Sequence, residues 1–229
     1  MKSTTYLFLF LSTLFFPQLG RSQSGFEYGP RVGTSYSSFV TTRGFVSGGL
    51  GLVAGAMASY NLSESFQVIA NLDYHQIRGG TQSALLSGGN FTFTTNSIAL
   101  HTAEFSGFAA YRLPLSFLGS ASLRAVGGGS VAYNFYTSNK RTSSINGSPV
   151  SSTNNEVVTD SFAAWLYAVQ GGLQFEFPLD NGPFSATVFD FRYRRNMNPI
   201  LNGLSLQGTG SAADIYSESF ILTFGVKLK

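Results

Sequence analysis

The sequence has no cysteine and few charges, and each scarcity excludes a class of protein. Without cysteine the chain has neither disulfides nor thiolate metal sites, and its N-terminal signal cannot be of the lipoprotein type. Only 11% of the residues are charged. Once Lys2 and Arg21 are set aside with the N-terminal segment, twelve basic residues face eleven acidic ones. This near balance of charges does not indicate the clustered basic surface that nucleic-acid-binding proteins have.

Long hydrophobic runs are also missing. Lys2 and the run Tyr6–Phe16, eleven residues long, are followed by Gly20 and Ser22. This order predicts a signal peptide over residues 1–22, cut before Gln23. Eleven residues are too few for a transmembrane helix, which needs about 20, and no later run approaches that length. Residues 23–229 therefore form a single predicted domain.

Aromatic residues and glycine are abundant, with 22 Phe, 11 Tyr and 26 Gly. Together with the few charges, they favour β-structure whose outer face contacts lipid. The segment Phe66–Gln76 alternates most clearly, with Phe66 and Leu72 on one face and Asp73 and His75 on the other. The first face suits hydrocarbon and the second a polar lumen. Aromatic residues also cluster near both ends of the predicted strands, where the interfaces of a bilayer select them.

Eight strand-like segments are joined by connectors that alternate between long and short. The short connectors are Asn61–Ser65, Leu113–Gly119 and Pro178–Pro183. The long connectors are Ser37–Gly49, Arg78–Ser97, Thr137–Asp160 and Met197–Ala213. Bacterial outer-membrane barrels have short periplasmic turns and long external loops. We therefore predict an all-β protein, an eight-stranded antiparallel up-and-down transmembrane β-barrel, with periplasmic N- and C-termini and four mobile external loops.

Charged residues in the predicted strands share one face, because a charge facing lipid at mid-depth costs roughly 2–4 kcal/mol. The predicted inward set is Glu27, Arg31, Asp73, Glu104, Arg112, Arg124, Glu176, Asp190, Arg192, Arg194 and Lys227. Charges crowded in a narrow lumen must pair, since an unpaired buried charge carries a heavy desolvation penalty. We interpret the set as a structural network that plugs the barrel. A selective pore or a proton path is the alternative.

The residue inventory gives little support to catalysis. His75 and His101 are the only histidines. A metal site with Asp73 or Glu104 is conceivable, but His101 has the opposite strand parity from Glu104. Neither histidine has the His-x-Ser arrangement of barrel hydrolases that act on lipid A. We expect no catalytic residues, no metal and no cofactor.

The segment Gly51–Tyr74 resembles the second hairpin of PorT-like outer-membrane β-barrels, which are common in Bacteroidota. The likeness consists of a glycine-rich strand, a short turn with Leu62 and Phe66, and a strand that ends in Leu72-x-Tyr74. The resemblance implies an outer-membrane location. Barrels of this kind usually end on an aromatic residue that the assembly machinery reads, whereas this chain ends on Lys229.

The predicted role is that of an integral bacterial outer-membrane protein with a structural, adhesion or accessory function and no enzymatic activity. The alternatives are a narrow porin and, second, a secreted soluble lipocalin-like barrel that binds an apolar ligand. Expected partners are outer-membrane lipid, the barrel-assembly machinery during biogenesis and an unidentified protein, but no nucleic acid. Contact with lipopolysaccharide is a further option for four basic residues, Arg43, Arg78, Lys140 and Arg141. The preferred explanation of these residues is that they are solvated charges in loops.

Overall fold

The computed structural model of the chain describes residues 25–41, 45–87, 89–115, 119–179, 182–205 and 212–228. The predicted signal peptide, residues 1–22, lies outside the described residues, as does Arg43. None of the described residues forms a helix with the length and apolar character needed to cross a bilayer.

The described chain is almost entirely β-structure. Its strands are β1 (Phe26–Thr41), β2 (Phe45–Asn61), β3 (Phe66–Ser87), β4 (Asn90–Arg112), β5 (Ser122–Ile145), β6 (Ser148–Val157), β7 (Trp165–Pro178), β8 (Phe184–Asn196), β9 (Leu201–Ser205) and β10 (Ala212–Leu228). All pairings are antiparallel, in the order β1-β2-β3-β4-β5-β7-β8-β10, and β1 also pairs with β10. This ring confirms the predicted eight-stranded up-and-down barrel. Outside the ring, β6 pairs with β5 and β9 pairs with β10.

The two faces of the ring have the polarity that the alternation predicts. On β3, Phe66 and Leu72 are exposed, whereas Asn71 and Asp73 are buried. A soluble protein has the opposite arrangement, because water rather than lipid surrounds it. The residues of β2 are mostly small and apolar, so their alternation does not predict which of them point inward. In the structure Val53, Met57 and Ser59 point inward, and Leu50, Leu52 and Tyr60 point outward.

Exposed aromatic side chains pair near both ends of the apolar outer face. Phe66 and Tyr111 lie 5.0 Å apart, centroid to centroid, beside the short turn between β3 and its neighbour β2. Tyr133 and Trp165 lie 5.0 Å apart towards the long-connector end. These positions suit the two interfaces of a bilayer.

The long connectors are largely strand rather than loop, and the prediction of four long loops is wrong here. Strands β3 and β4 pair continuously from Arg78 and Ala99 to Ser87 and Asn90. Segment Thr137–Asp160 contains the end of β5, all of β6 and the start of a 3₁₀ helix, Thr159–Ser161. These extensions are rich in Ser, Thr, Asn and Gly, although Leu86, Phe91 and Phe93 are exposed on them, so the period-2 contrast by which a half-buried strand is recognised is weak.

An apolar layer fills the barrel interior towards the long connectors. Its buried members are Phe39, Ile77, Ile98, Leu100, Ala132, Leu166, Ile200 and Ile215. The connector between β8 and β9 contributes Ile200, whose backbone N–H donates to the carbonyl oxygen of Ile215, 2.7 Å away. A smaller apolar group, Ile69, Phe108, Ala110 and Val126, lies elsewhere in the interior. The alternation of the strands predicts a polar lumen, and the apolar layer corrects that prediction for this end of the barrel.

Candidate functional site

Among the residues that the structure describes, the ring strands bring ten charged side chains into the barrel interior. The acids are Glu27, Asp73, Glu104, Glu176 and Asp190, and the bases are Arg31, Arg124, Arg192, Arg194 and Lys227. Each of the ten lies within 4.0 Å of an oppositely charged group. Five acids against five bases make the interior neutral when all are ionised.

Glu104 is the centre of the first group of contacts. Its Oε1 accepts hydrogen bonds from Gln170 Nε2 at 2.6 Å and from Arg194 Nε at 3.2 Å. His75 Nδ1 lies 3.0 Å from Glu104 Oε2. Gln170 Nε2 also donates to Ser130 Oγ at 2.9 Å. One carboxylate thus joins side chains from β3, β4, β7 and β8 across the barrel.

Asp190 and Arg192 form the second group with Arg31 and Asp73. Arg192 donates to both carboxylate oxygens of Asp190, the bidentate geometry in which such pairs are strongest. Arg31 Nε lies 3.5 Å from Asp73 Oδ1, and its Nη1 lies 3.8 Å from Asp190 Oδ2. The Arg192 guanidinium also stacks 3.8 Å above the Phe108 ring, a cation–π contact.

The third group lies near the short-turn ends of its strands. Lys227 Nζ donates to Glu27 at 3.0 Å and to Glu176 at 2.7 Å. Arg124 Nε lies 3.7 Å from Glu176. The Glu27 and Glu176 side chains keep some exposure, 18% and 15%. Water therefore reaches this group more readily than the other two.

Arg112 does not join the network, which corrects the predicted set. It has the inward parity, but it is the last residue of β4 and its side chain is exposed. It forms no salt bridge with any residue that the structure describes. Strand parity identifies the face of a residue but not its depth, and Arg112 lies past the end of the lumen.

The two histidines lie on opposite faces of the sheet. His75 is buried inside with Glu104, as its parity predicts, whereas His101 lies on the outer face, with its Nδ1 2.6 Å from the Tyr74 hydroxyl oxygen. Within the described ranges, no three histidine, aspartate or glutamate side chains are grouped closely enough to hold a metal ion.

One small cavity lies between the charged groups. A cavity of about 10 Å³ is lined by side chains that include Asp73, His75, Glu104 and Arg192. That volume holds about one water molecule. A wider depression of about 400 Å³ lies at the short-turn end, lined by residues such as Glu64, Arg112 and Leu123. The charged groups of the interior are paired with one another, whereas the Asn71 amide and His75 Nε2 have no hydrogen-bond partner in the part of the chain that the structure describes.

Comparison with known proteins gives a family match over most of the chain. The model of the family described as outer membrane protein beta-barrel domain matches residues 16–202. No curated protein matches the chain.

Several solved structures are similar to this chain at low identity. Ail, the attachment invasion locus protein of Yersinia pestis, is 14% identical, with 88% of this chain and 98% of that chain covered and a TM-score of 0.37. OprG from Pseudomonas aeruginosa is 11% identical, with 90% and 96% covered and a TM-score of 0.42. Neisserial surface protein A is 15% identical, with 90% and 97% covered and a TM-score of 0.37.

Proposed function

The chain belongs to the outer membrane protein beta-barrel domain family, and from this premise we propose that it is a closed, non-enzymatic barrel. Its role is to hold an extended β-sheet on the external side of the outer membrane for structural or adhesive contacts. The glycine-rich hairpin Gly51–Tyr74 supports a place among PorT-like members from Bacteroidota. With a signal peptide removed before Gln23, both termini are periplasmic.

The filled interior is the observation that carries this proposal. A conducting pore needs a continuous water path, whereas an eight-stranded barrel has an interior just wide enough for its own side chains. Here the ten charges are paired, an apolar layer with Phe39, Leu100 and Leu166 lies beside them, and the cavity between them is about 10 Å³. This packing favours a closed barrel over the narrow porin.

The strand extensions support the second half of the proposal. The outer face of β3 is apolar from Phe66 to Leu72, turns polar at Gln76 and reaches the exposed Arg78. The strand then continues for nine residues to Ser87. At about 3.3 Å per residue, this is roughly 30 Å of strand beyond the apolar band. An extension of this length, with exposed Leu86 on β3 and exposed Phe91 and Phe93 on the paired β4, suits a surface for contact outside the membrane.

Cysteine labelling tests the proposed display, because the natural chain has no cysteine of its own. Ser148→Cys lies at the start of β6, and Glu64→Cys lies in the short turn before β3; both positions are exposed. On intact cells, a membrane-impermeant maleimide should label Ser148→Cys and leave Glu64→Cys unlabelled until the cells are broken. The unmodified chain is the background control. Labelling of Glu64→Cys on intact cells, with Ser148→Cys protected, contradicts the orientation.

A further inference from the structure

A polar cluster lies on the lipid-facing side of β3 and β4, outside the lumen network. The Tyr74 hydroxyl oxygen is 2.6 Å from His101 Nδ1, and Gln76 Nε2 is 3.5 Å from His101 Nε2. The Tyr136 ring meets His101 edge-on, with 5.2 Å between centroids. Polar groups are costly in hydrocarbon, where no water can bond to them. The cluster therefore belongs at the membrane interface, in the aromatic belt.

A β-bulge builds the aromatic side of this cluster. The β4–β5 register shifts between His101 and Thr102, so that Tyr136 pairs with His101 and Asn134 pairs with Thr102. The extra residue, Phe135, and its neighbour Tyr136 then both lie on the outer face, 49% and 36% exposed. Bulges commonly re-aim a side chain at a functional position. Here the bulge places two aromatic rings beside one imidazole.

Two basic side chains lie just beyond this aromatic belt. Arg78 is the next outward residue after Gln76 on β3, and Lys140 lies on β5, paired with Ser97 of β4. Both are exposed. Neighbouring strands are about 4.8 Å apart, and residues along a strand are about 3.3 Å apart. Arg78 pairs with Ala99 and Ala99 pairs with Ser138, so Lys140 lies two strands across and two residues further along, roughly 12 Å from Arg78 between Cα atoms.

The surface around Arg78 is open. Its partner on β4 is Ala99, and on β2 a Cβ atom at Gly49 would approach Arg78 Cβ to 2.8 Å. Small residues on both sides leave the guanidinium uncovered. Among the described residues, neither Arg78 nor Lys140 forms a salt bridge with a carboxylate. Arg195, the next outward residue after Tyr193 on β8, does form a salt bridge, because its Nη1 lies 3.5 Å from Glu218 Oε1.

We propose that Tyr74, Gln76, Arg78 and Lys140 form a binding site for the phosphorylated head group of an outer-leaflet glycolipid. A guanidinium binds phosphate oxygens through two parallel hydrogen bonds, and an ammonium adds a point charge. Tyr74 and Gln76 supply hydrogen bonds to the phosphate or to sugar hydroxyls, and the rings of Phe135 and Tyr136 contact the upper acyl chains. Two long basic side chains whose Cα atoms are roughly 12 Å apart suit a head group that carries more than one phosphate.

The ligand class follows from charge and position together. The uncovered cations call for an anion, and the neighbouring lipid-facing rings call for one that is attached to acyl chains. The site rests on the proposed orientation, which places the long-connector end of the barrel in the outer leaflet. Binding by the purified protein does not depend on orientation, whereas the labelling of Ser148→Cys does, so the two proposals fail separately.

Native mass spectrometry of the purified full chain in detergent tests the site. The probes are bis-phosphorylated lipid A, the same lipid without phosphates, and inorganic phosphate. The wild type should retain one phosphorylated lipid. Arg78→Ala should weaken retention about tenfold or more, or about 1.4 kcal/mol, since it removes the charge-assisted hydrogen bonds to the phosphate. Arg78→Lys should restore part of the affinity.

Arg195→Ala is the matched control, because it removes an outward arginine that already has a carboxylate partner. It should change lipid retention by less than about twofold, because an exposed ion pair contributes little free energy. Circular dichroism of each variant confirms that the barrel is folded. Equal retention by wild type and Arg78→Ala overturns the proposal, as does equal retention of the dephosphorylated lipid. Competition by inorganic phosphate at the concentration of the lipid reassigns the site to a soluble anion and overturns the lipid claim.

Discussion

At the scale of single residues, neighbours in sequence have opposite environments in this barrel. Arg194 is fully buried and donates to Glu104, whereas Arg195 is 58% exposed and pairs with Glu218. The period-2 geometry of a strand places consecutive side chains on opposite faces. The free-energy contribution of each arginine therefore depends on its face rather than on its charge.

We predict that Arg194→Ala destabilises the barrel by about 3–5 kcal/mol, because Glu104 is left as a buried carboxylate without its cation. Arg195→Ala should cost about 0–1 kcal/mol, the usual range for exposed ion pairs. Urea unfolding of the two variants in detergent micelles gives both free energies. Equal losses for the two substitutions contradict the assignment of Arg194 to the network.

Arg124→Ala is expected to cost less than Arg194→Ala. Glu176 keeps Lys227 at 2.7 Å when Arg124 is removed, and its side chain is 15% exposed. The same unfolding measurement compares the two. The predicted order of the two losses in stability follows from these contacts, because strand parity alone places both arginines inward without distinguishing them.

The sequence predicts the face of each lumen residue but neither its depth nor its partner. Parity separates His75 from His101 correctly, and it places Arg112 inward although that residue lies past the lumen. Glu104 and Arg194 are 90 positions apart in the sequence. Their contact depends on how the ring closes and how its strands are staggered, and no local pattern encodes that.

At the scale of secondary structure, closure of the ring between β1 and β10 depends on close backbone approach. Gly29 of β1 pairs with Met57 of β2, and a Cβ atom added to Gly29 would lie 1.7 Å from the carbonyl oxygen of Val226 on β10. Glycine in a strand interior often marks such an approach. The closing seam has no room for a methyl group at this position.

We predict that Gly29→Ala destabilises the barrel by at least about 1–3 kcal/mol, the usual cost of overpacking, because a backbone must shift. Gly107→Ala is the matched control, since nothing lies within 4 Å of a Cβ atom at that position on β4. Thermal unfolding followed by circular dichroism compares the two variants. A stable Gly29→Ala barrel with a weakened Gly107→Ala barrel means that the seam is assigned wrongly.

The eight ring strands were predictable because lipid outside and polar groups inside impose a clear alternation. The extensions are harder to predict because they are rich in Ser, Thr, Asn and Gly and alternate less clearly between polar and apolar residues. One signal for the β5–β6 hairpin was nevertheless present. Asn146 and Gly147 form its two-residue turn with positive φ angles of 50° and 84°, and Asn-Gly is the strongest short hairpin signal.

At the scale of the whole molecule, the barrel combines a filled membrane-spanning part with strands that continue past the apolar band. The inward positions of the ring carry the five acids and five bases that make the interior neutral. Inward positions also carry Phe39 and Leu166 of the apolar layer. The outer surface is a lipid-facing band with aromatic residues near both ends. The closed interior and the extended sheet are the two features from which we propose an anchor for contacts outside the membrane.

Ion conductance in planar lipid bilayers tests the central claim, closure of the lumen, most directly. The purified wild-type barrel should give no steady conductance, because paired charges and packed apolar side chains leave room for about one water molecule between the charged groups. A large, steady wild-type conductance whose ion selectivity changes on Arg194→Ala would contradict closure and establish the narrow porin instead.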